Sequence, residues 1–171
     1  EEFNFIKMEE GLRYLDLSAI ALDANNRIWL GTNTPKGSLQ VYEPGIGLVR
    51  YFEDDLLSSI DLIEIGDNIS FAVYVGSVIG DIGILKFIFD EEGLPDYQDY
   101  YTDFTDNIIT KIYDLDIFQD SVYVTTDQGV FSANYSNNLK SSDNWVTIYD
   151  DTDARQFLPG NNPIIFKNDA I

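Results

Sequence analysis

The chain has 171 residues, of which 44% are hydrophobic and 14% aromatic, so it can bury a core and is not a disordered acidic segment. It contains no cysteine and no histidine, which excludes disulfides, thiolate sites and histidine-based nucleophile systems. Its formal charge of -20 argues against nucleic acid and anionic membrane surfaces as partners, and no apolar run is long enough to be inserted into a membrane.

Short segments in which apolar residues alternate with polar ones follow one another along the chain, and no long stretch keeps a helical period. Turn-forming residues separate them, as the segment 23–26 does between the first two. In chain order the predicted strands are 19–23, 27–32, 38–42, 48–52, 60–66, 71–77, 83–89, 97–102, 109–117, 121–126, 129–134 and 145–149. This pattern predicts an all-β fold in which consecutive strands pair in antiparallel fashion.

A Trp-Leu-Gly-Thr segment recurs in altered form three times along the chain. The copies are 27–32, 72–77 and 121–126. Their aromatic residues, Trp29, Tyr74 and Tyr123, lie 45 and 49 residues apart. A period of about 40–50 residues containing four short strands is typical of β-propeller blades. We therefore predict one propeller domain over 1–171, with antiparallel four-stranded blades at about 16–55, 58–104 and 107–150.

Both ends of the chain read as pieces of further blades. The segment 2–7 resembles the closing strand of a preceding blade, and 163–167 resembles a strand after a loop at 158–162. The chain thus predicts about three complete blades plus partial terminal ones. Closed propellers have about four to eight blades. The chain is therefore either a portion of a larger propeller or a small ring closed by its terminal strands. We favour a portion of a larger propeller. Its expected partner is then the remainder of a larger polypeptide.

The repeated aromatic residues have a structural interpretation. We expect Trp29, Tyr74 and Tyr123 to occupy equivalent positions and to pack between neighbouring blades rather than stack on a ligand. Trp29 should be largely buried. The hydroxyl residues that end the same strands are Thr32, Ser77 and Thr126. We expect these hydroxyls to form hydrogen bonds within the blade.

The first unit resembles the two-component-regulator propeller repeat. The resemblance runs from the apolar strand at 20–23 through Trp29-Leu30-Gly31-Thr32 to 37–42, with Asn25-Asn26 where that repeat has Gly-Asn. Gly93-Leu94-Pro95 resembles its linker between blades, the third unit matches at 122–126, and the middle unit matches least. The resemblance implies a bacterial, extracytoplasmic β-propeller, whether periplasmic, secreted or at the cell surface. It carries over no catalytic residues.

These observations predict a non-enzymatic module that binds a ligand or a protein, as a sensor or as a scaffold. The ligand class stays open among proteins, small molecules and glycans. The alternative is part of a carbohydrate-active propeller enzyme that uses paired carboxylates. Such an enzyme would direct acids from different blades into one central funnel, whereas acids on outer turns would remove the support for this alternative.

Clusters of aspartate are the remaining candidates for chemistry. Carboxylate oxygens on loops suit calcium, yet no run has the central glycine and terminal glutamate of an EF-hand loop. We therefore predict no structural metal and no cofactor. The calcium candidates that the sequence offers are Asp99, Asp103, Asp106, Asp114, Asp116 and Asp120, with a third cluster at Asp150, Asp151 and Asp153.

Overall fold

The computed structural model describes residue 6 and residues 8–160 and 163–167. In these residues the chain forms fourteen strands, all paired in antiparallel fashion, and two single-turn 3-10 helices, Met8–Glu10 and Ser142–Asn144. No helix of this part of the chain has the length and apolar character needed to cross a membrane. The predicted all-β class is confirmed.

The strands form three four-stranded sheets and one hairpin, each in chain order. Sheet 1 contains β1 (Asp16–Leu22), β2 (Ile28–Thr34), β3 (Ser38–Glu43) and β4 (Gly47–Glu53). Sheet 2 contains β5 (Leu57–Ile65), β6 (Ile69–Gly76), β7 (Ile82–Phe89) and β8 (Pro95–Tyr101). Sheet 3 contains β9 (Ile112–Phe118), β10 (Ser121–Thr126), β11 (Gly129–Asn134) and β12 (Val146–Tyr149). The hairpin pairs β13 (Ala154–Leu158) with β14 (Ile164–Lys167).

Each strand that the alternation predicts within the sheets is present, with ends that move by three residues or fewer. The strand predicted at 163–167 is also present, as β14. The sequence did not reveal β13, which begins before the predicted loop at 158–162. The strand predicted at 2–7 lies outside the described residues except for Ile6, which belongs to no strand.

Successive sheets contact each other through their first strands. β5 contacts β1 and β2, β9 contacts β5, and β13 contacts β9. The motif glycine of sheet 1 permits this approach. A Cβ on Gly31 would lie 2.5 Å from the carbonyl oxygen of Ile60 in β5, and the Ser18 hydroxyl donates a hydrogen bond to that same oxygen at 2.6 Å. Four-stranded sheets in contact along their first strands fit a propeller-like arrangement.

Apolar side chains fill the space between successive sheets. Trp29 is 0% exposed, as predicted, and packs with Leu39 and Val41 against Ile60 and Phe87 of sheet 2. A second cluster joins sheets 2 and 3, and its aromatic members are Phe71, Tyr101, Phe104, Phe131 and Trp145. Val130 of sheet 3 packs against Ala154 and Phe157 of the hairpin. These clusters place the core in the interfaces between sheets.

The predicted equivalence of the three aromatic residues is wrong for Tyr74. Trp29 and Tyr74 belong to successive sheets yet lie in one cluster, so Trp29 faces the following sheet and Tyr74 the preceding one. Tyr123 faces the following hairpin, with its ring centroid 5.3 Å from that of Phe157. In sheet 2 the neighbouring Val73 faces the following sheet. The middle repeat is therefore offset by one residue, which reverses every side chain of a strand.

Two of the three predicted hydroxyl contacts are present. The Thr32 hydroxyl lies 2.8 Å from the Ser38 hydroxyl, and the Thr126 hydroxyl donates to the carbonyl oxygen of Gly129 at 3.0 Å. Ser77 is exposed instead. The offset of the middle repeat places Ser77 beyond the end of β6 rather than within the ladder.

Candidate functional site

The contact between sheets 1 and 2, here called the seam, holds a buried ion pair near one end, beside a cavity of about 340 Å³ that the pair helps to line. Asp23 follows β1 and Arg27 precedes β2, and both side chains are buried. The Nε of Arg27 donates to Asp23 at 2.9 Å, and the Trp29 indole donates to the same carboxylate oxygen at 3.1 Å. The remaining guanidinium nitrogens donate to the carbonyl oxygens of Glu92 and Gly93, in the turn between β7 and β8. This network, the latch, ties sheet 1 to sheet 2.

The latch fully occupies the Asp23 carboxylate. Its second oxygen accepts hydrogen bonds from the backbone N–H groups of Asn25 and Arg27, each at 2.9 Å. Burial opposes ionisation of Asp23, but these hydrogen bonds, the indole and the Arg27 charge outweigh it and hold the pKa of Asp23 below its ordinary value. The latch is therefore structural, and the Asp-Ala-Asn-Asn-Arg turn of the repeat has a packing role.

The other end of the seam opens into a cavity of about 340 Å³, here called the seam cavity. Its lining residues are Phe52, Asp54, Leu56, Leu57, Tyr74, Asp81, Leu85, Tyr97, Tyr100 and Thr102. They come from β4, β6, β7 and β8, the start of β5, the loops between β4 and β5 and between β6 and β7, and the residue after β8. Both sheets therefore contribute to its walls.

Aromatic rings form much of the wall of the seam cavity. Phe52 and Tyr97 are stacked with ring centroids 4.6 Å apart, and Phe87 packs edge-on against both. Tyr74 and Tyr100 meet at 89°, with centroids 6.3 Å apart. Tyr97 and Tyr100 remain 39% and 47% exposed. The buried rings fix the wall, and the two exposed tyrosines offer aromatic surface to a ligand.

Two carboxylates face the same space. Asp81 accepts a hydrogen bond from the Tyr74 hydroxyl at 3.1 Å, and Asp54 accepts one from the backbone N–H of Leu56 at 2.9 Å. Gly76 makes room for Asp81, because a Cβ at that position would overlap the carboxylate. Burial and the charge of Asp81 raise the pKa of Tyr74 well above its ordinary value.

Tyr97 is also held in its protonated form. Burial, followed by the charges of Asp99 and Asp54, raises the pKa of Tyr97 to about 12. The cavity therefore combines neutral aromatic rings with carboxylate acceptors at neutral pH. Such a surface binds ligands through ring faces and acceptor oxygens.

A separate group of acids lies on the first strands of sheets 2 and 3. Glu64 of β5 is near Asp114 and Asp116 of β9, and burial together with the charges of Asp116 and Asp114 raises its pKa to about 7. Burial also raises the pKa of Asp114 and of Asp116. Asp114 accepts a hydrogen bond from the backbone N–H of Phe157 in the hairpin, at 3.0 Å. The structure thus brings together two of the calcium candidates with a glutamate that the sequence did not single out.

The other calcium candidates are dispersed. Asp99 pairs with Lys140 at 2.8 Å, Asp103 and Asp106 are exposed between β8 and β9, and Asp120 lies near the Tyr135 hydroxyl. In the third cluster, Asp151 pairs with Lys167. Within residue 6, residues 8–160 and 163–167, no three acidic side chains are placed to hold a metal ion together. That the chain has no structural metal stays a prediction, which calcium titration in solution tests.

A second, larger cavity of about 680 Å³ lies between sheets 2 and 3. Asp67, Lys86, Asp120 and Tyr135 contribute to its lining. The Lys86 ammonium donates to the carbonyl oxygen of Tyr135 at 2.7 Å, and burial lowers its pKa. The ammonium is therefore engaged in joining the two sheets. The seam cavity has the larger aromatic wall and is the better candidate for a site.

Sequence reasoning missed the seam cavity, because its residues come from segments up to fifty positions apart, from Phe52 to Thr102. Two signals pointed toward it. The closing strands β4 and β8 are rich in aromatic residues, and Asp54 and Asp81 sit in loops at one end of adjacent sheets. Only the pairing of the sheets brings these features together.

No family model matches the chain, and no curated protein matches it in sequence. Among solved structures, the chain is similar to the extracellular domain of a putative hybrid two-component system from B. thetaiotaomicron, with 19% sequence identity and a TM-score of 0.57. The similarity covers 87% of this chain but 19% of that chain, so the sequence spans a minor part of its neighbour. The chain therefore shares the fold of part of an extracellular domain of a two-component system.

Proposed function

We propose that the chain is a non-enzymatic binding module of an extracytoplasmic β-propeller, and that the seam cavity holds a small ligand. The observation that carries the proposal is the cavity itself. Its volume of about 340 Å³ lies within the usual range of about 300–1,000 Å³ for ligand pockets. Exposed aromatic rings and carboxylates share its wall, which is the mixture of apolar surface and few polar groups that small-molecule sites use.

In this proposal each sheet is one propeller blade, with blades at about 16–55, 58–104 and 107–150. Ile20 and Leu22 lie on the side of sheet 1 that faces away from sheet 2, and they are 73% and 62% exposed. A further blade of a larger propeller would cover this apolar side. The chain is similar in fold to part of an extracellular domain of a two-component system. This similarity supports a sensor role and an extracytoplasmic location.

A carbohydrate-active enzyme would need a carboxylate pair at a substrate cavity. The described chain offers two groups of acids. Asp54 and Asp81 line the seam cavity, whereas Glu64, Asp114 and Asp116 line neither the seam cavity nor the larger cavity between sheets 2 and 3. Asp114 also accepts a hydrogen bond from the backbone of the hairpin. These contacts argue against the second group, and conversion of a bound ligand tests the first.

The test is a ligand screen on three versions of the protein. A panel of cationic, neutral and anionic small molecules is screened by thermal shift, and each hit is titrated calorimetrically. Leu56→Trp fills the mouth of the seam cavity from an exposed position, and Ile79→Trp places the same ring on an exposed loop residue outside the lining. We expect a ligand that binds the wild type and Ile79→Trp but binds Leu56→Trp about tenfold more weakly, a difference of about 1.4 kcal/mol.

The bound ligand should be recovered chemically unchanged by mass spectrometry. Equal affinity for Leu56→Trp and Ile79→Trp would show that binding occurs elsewhere. Conversion of the ligand to a product would favour the enzyme, and a panel without any hit would contradict a small-molecule site.

A further inference from the structure

We infer that the ligand of the seam cavity is a small organic cation whose ammonium group carries methyl or other short apolar substituents. The inference rests on the proposed function and specifies the chemical class of its ligand. It is carried by the charge of the lining and by the neutral aromatic rings beside that charge.

The lining of the seam cavity carries acidic groups without basic ones. Asp54 and Asp81 contribute carboxylates, and no Lys or Arg is among the residues of the lining. In the described part of the chain, no ion pair involves either of them, although Asp23, Asp55 and Asp99 each have a basic partner. A chain with a formal charge of -20 adds to the negative potential around this space. An anionic ligand is therefore disfavoured and a cation favoured.

The aromatic wall suits a cation as well. The electron-rich faces of Tyr and Phe rings attract an ammonium group within about 6 Å of the ring centroid. The protein already places one cation in this way, because the Nζ of Lys140 lies 5.1 Å from the ring centroid of Tyr100. Lys140 is itself paired with Asp99 on the neighbouring position of β8. Tyr100 thus lines the seam cavity and also contacts an ammonium group of the chain.

The aromatic wall favours a substituted ammonium over a bare one. An unsubstituted ammonium has three N–H donors that each need an acceptor when buried. Besides Asp54 and Asp81, the lining consists mainly of aromatic and aliphatic side chains. A quaternary ammonium needs negative potential and contact with aromatic rings but no hydrogen-bond acceptor, which is what such a wall supplies.

The test compares choline with 3,3-dimethyl-1-butanol, its uncharged isostere, by calorimetric titration at constant ionic strength. We expect choline to bind and the isostere to bind at least about tenfold more weakly, because it lacks the charge that the lining recognises. Asp81→Asn and Tyr100→Leu should each weaken choline binding about threefold to thirtyfold, which corresponds to the usual range of cation–aromatic energies. Tyr100 is 47% exposed, so we expect Tyr100→Leu to fold. This variant therefore tests the inference even if Asp81→Asn disturbs the structure.

Asp143→Asn and Tyr149→Leu are the matched controls. Both residues are exposed in sheet 3 or its loops, outside the seam cavity, and their substitution should leave choline affinity unchanged. Equal affinities for choline and the isostere would overturn the inference. If choline does not bind, but a neutral or anionic ligand binds the wild type more tightly than Leu56→Trp, the inference is overturned and the proposed function still stands. Absence of every ligand would overturn both.

Discussion

The two ends of the seam between sheets 1 and 2 contain the same kind of acid, yet they differ in what the acids contact. At the latch, Asp23 is buried with Arg27, and every oxygen of its carboxylate has a donor. At the seam cavity, Asp54 and Asp81 accept neutral donors. A carboxylate matched by the chain's own cation stabilises the fold, whereas one left without a cation remains available to a ligand.

The aromatic residues at the two ends of the seam also differ, in how far they are buried. Trp29 at the latch side is fully buried and donates its indole N–H to Asp23, so it serves packing alone. Tyr97 and Tyr100 at the cavity are only partly covered. The comparison teaches that burial and charge matching, rather than residue type, separate structural residues from candidate binding residues in this chain.

The largest expected effect concerns Trp29. Trp29→Ala should lower the free energy of unfolding by about 3–5 kcal/mol, because it leaves a cavity between two sheets. It also removes one donor to the buried Asp23. Tyr100→Ala should cost much less, since that ring is half exposed. Urea denaturation of both variants measures the difference, and similar losses would contradict the division between the two ends.

The next effect is the loss of the cation at the latch. Arg27→Met should lower the free energy of unfolding by about 3 kcal/mol, because it leaves the Asp23 carboxylate buried without its charge partner. Lys36→Met removes a cation from an exposed pair with Asp55 and should have a much smaller effect. Chemical denaturation at neutral pH compares the two. A loss for Arg27→Met no greater than that for Lys36→Met would show that the latch does not hold the sheets.

The repeat pattern predicted sheets 1 and 3 well, because β2 and β10 continue the alternation of their repeats without an offset. The pattern failed by one residue in sheet 2. In β6 the side that faces the following sheet is taken by Val73 rather than by Tyr74. β6 pairs with β7 without a register shift, so the offset lies in the alignment of the motif and not in a bulge of β6. A misalignment of one residue assigns every side chain of a strand to the wrong side.

The candidate site was less predictable than the fold. The latch follows from a local turn, and its Asp, Arg and Trp lie within seven residues of one another. The seam cavity combines residues from two sheets, and its polar character depends on which carboxylates lack a basic partner. Whether a carboxylate has a basic partner depends on how distant parts of the chain pack together. Asp99 pairs with Lys140, whereas Asp81 accepts a hydrogen bond from the neutral Tyr74 hydroxyl.

A smaller effect is expected from Glu64, which is half-buried near Asp114 and Asp116. Its pKa of about 7 lies above the ordinary value of 4.5, so the folded protein holds this proton more tightly than the unfolded chain does. Between these values the unfolded chain has released the proton, and the free energy of unfolding therefore falls as pH rises. In Glu64→Gln this contribution disappears.

Urea denaturation at about pH 5 and about pH 8 tests this prediction. The wild type should lose more stability than Glu64→Gln on going to the higher pH. The other carboxylates titrate in both proteins and cancel in the comparison. An equal loss in the two proteins would mean that Glu64 does not have the raised pKa in the folded state.

The smallest expected effect is that of calcium, which is the other kind of cation that an acidic cavity could bind. We expect calcium and magnesium at matched ionic strength to shift the melting temperature equally, because both only screen repulsion among carboxylates. A specific calcium site would instead stabilise the fold by about 2.7 kcal/mol at a hundredfold excess over its Kd. A calcium-selective shift that is lost in Asp114→Asn, Asp116→Asn or Asp81→Asn would identify a metal site and contradict the prediction.

The central claim is that one end of the seam is structural and the other binds a cation, and amide chemical-shift mapping by NMR tests it most directly. A chain of 171 residues is suitable for assignment. On addition of choline, the account predicts saturable shifts at the amides around Tyr74, Asp81 and Thr102, with the amides of 23–27 unchanged. Shifts centred on the latch, or spread evenly over the acidic surface without saturation, would contradict it.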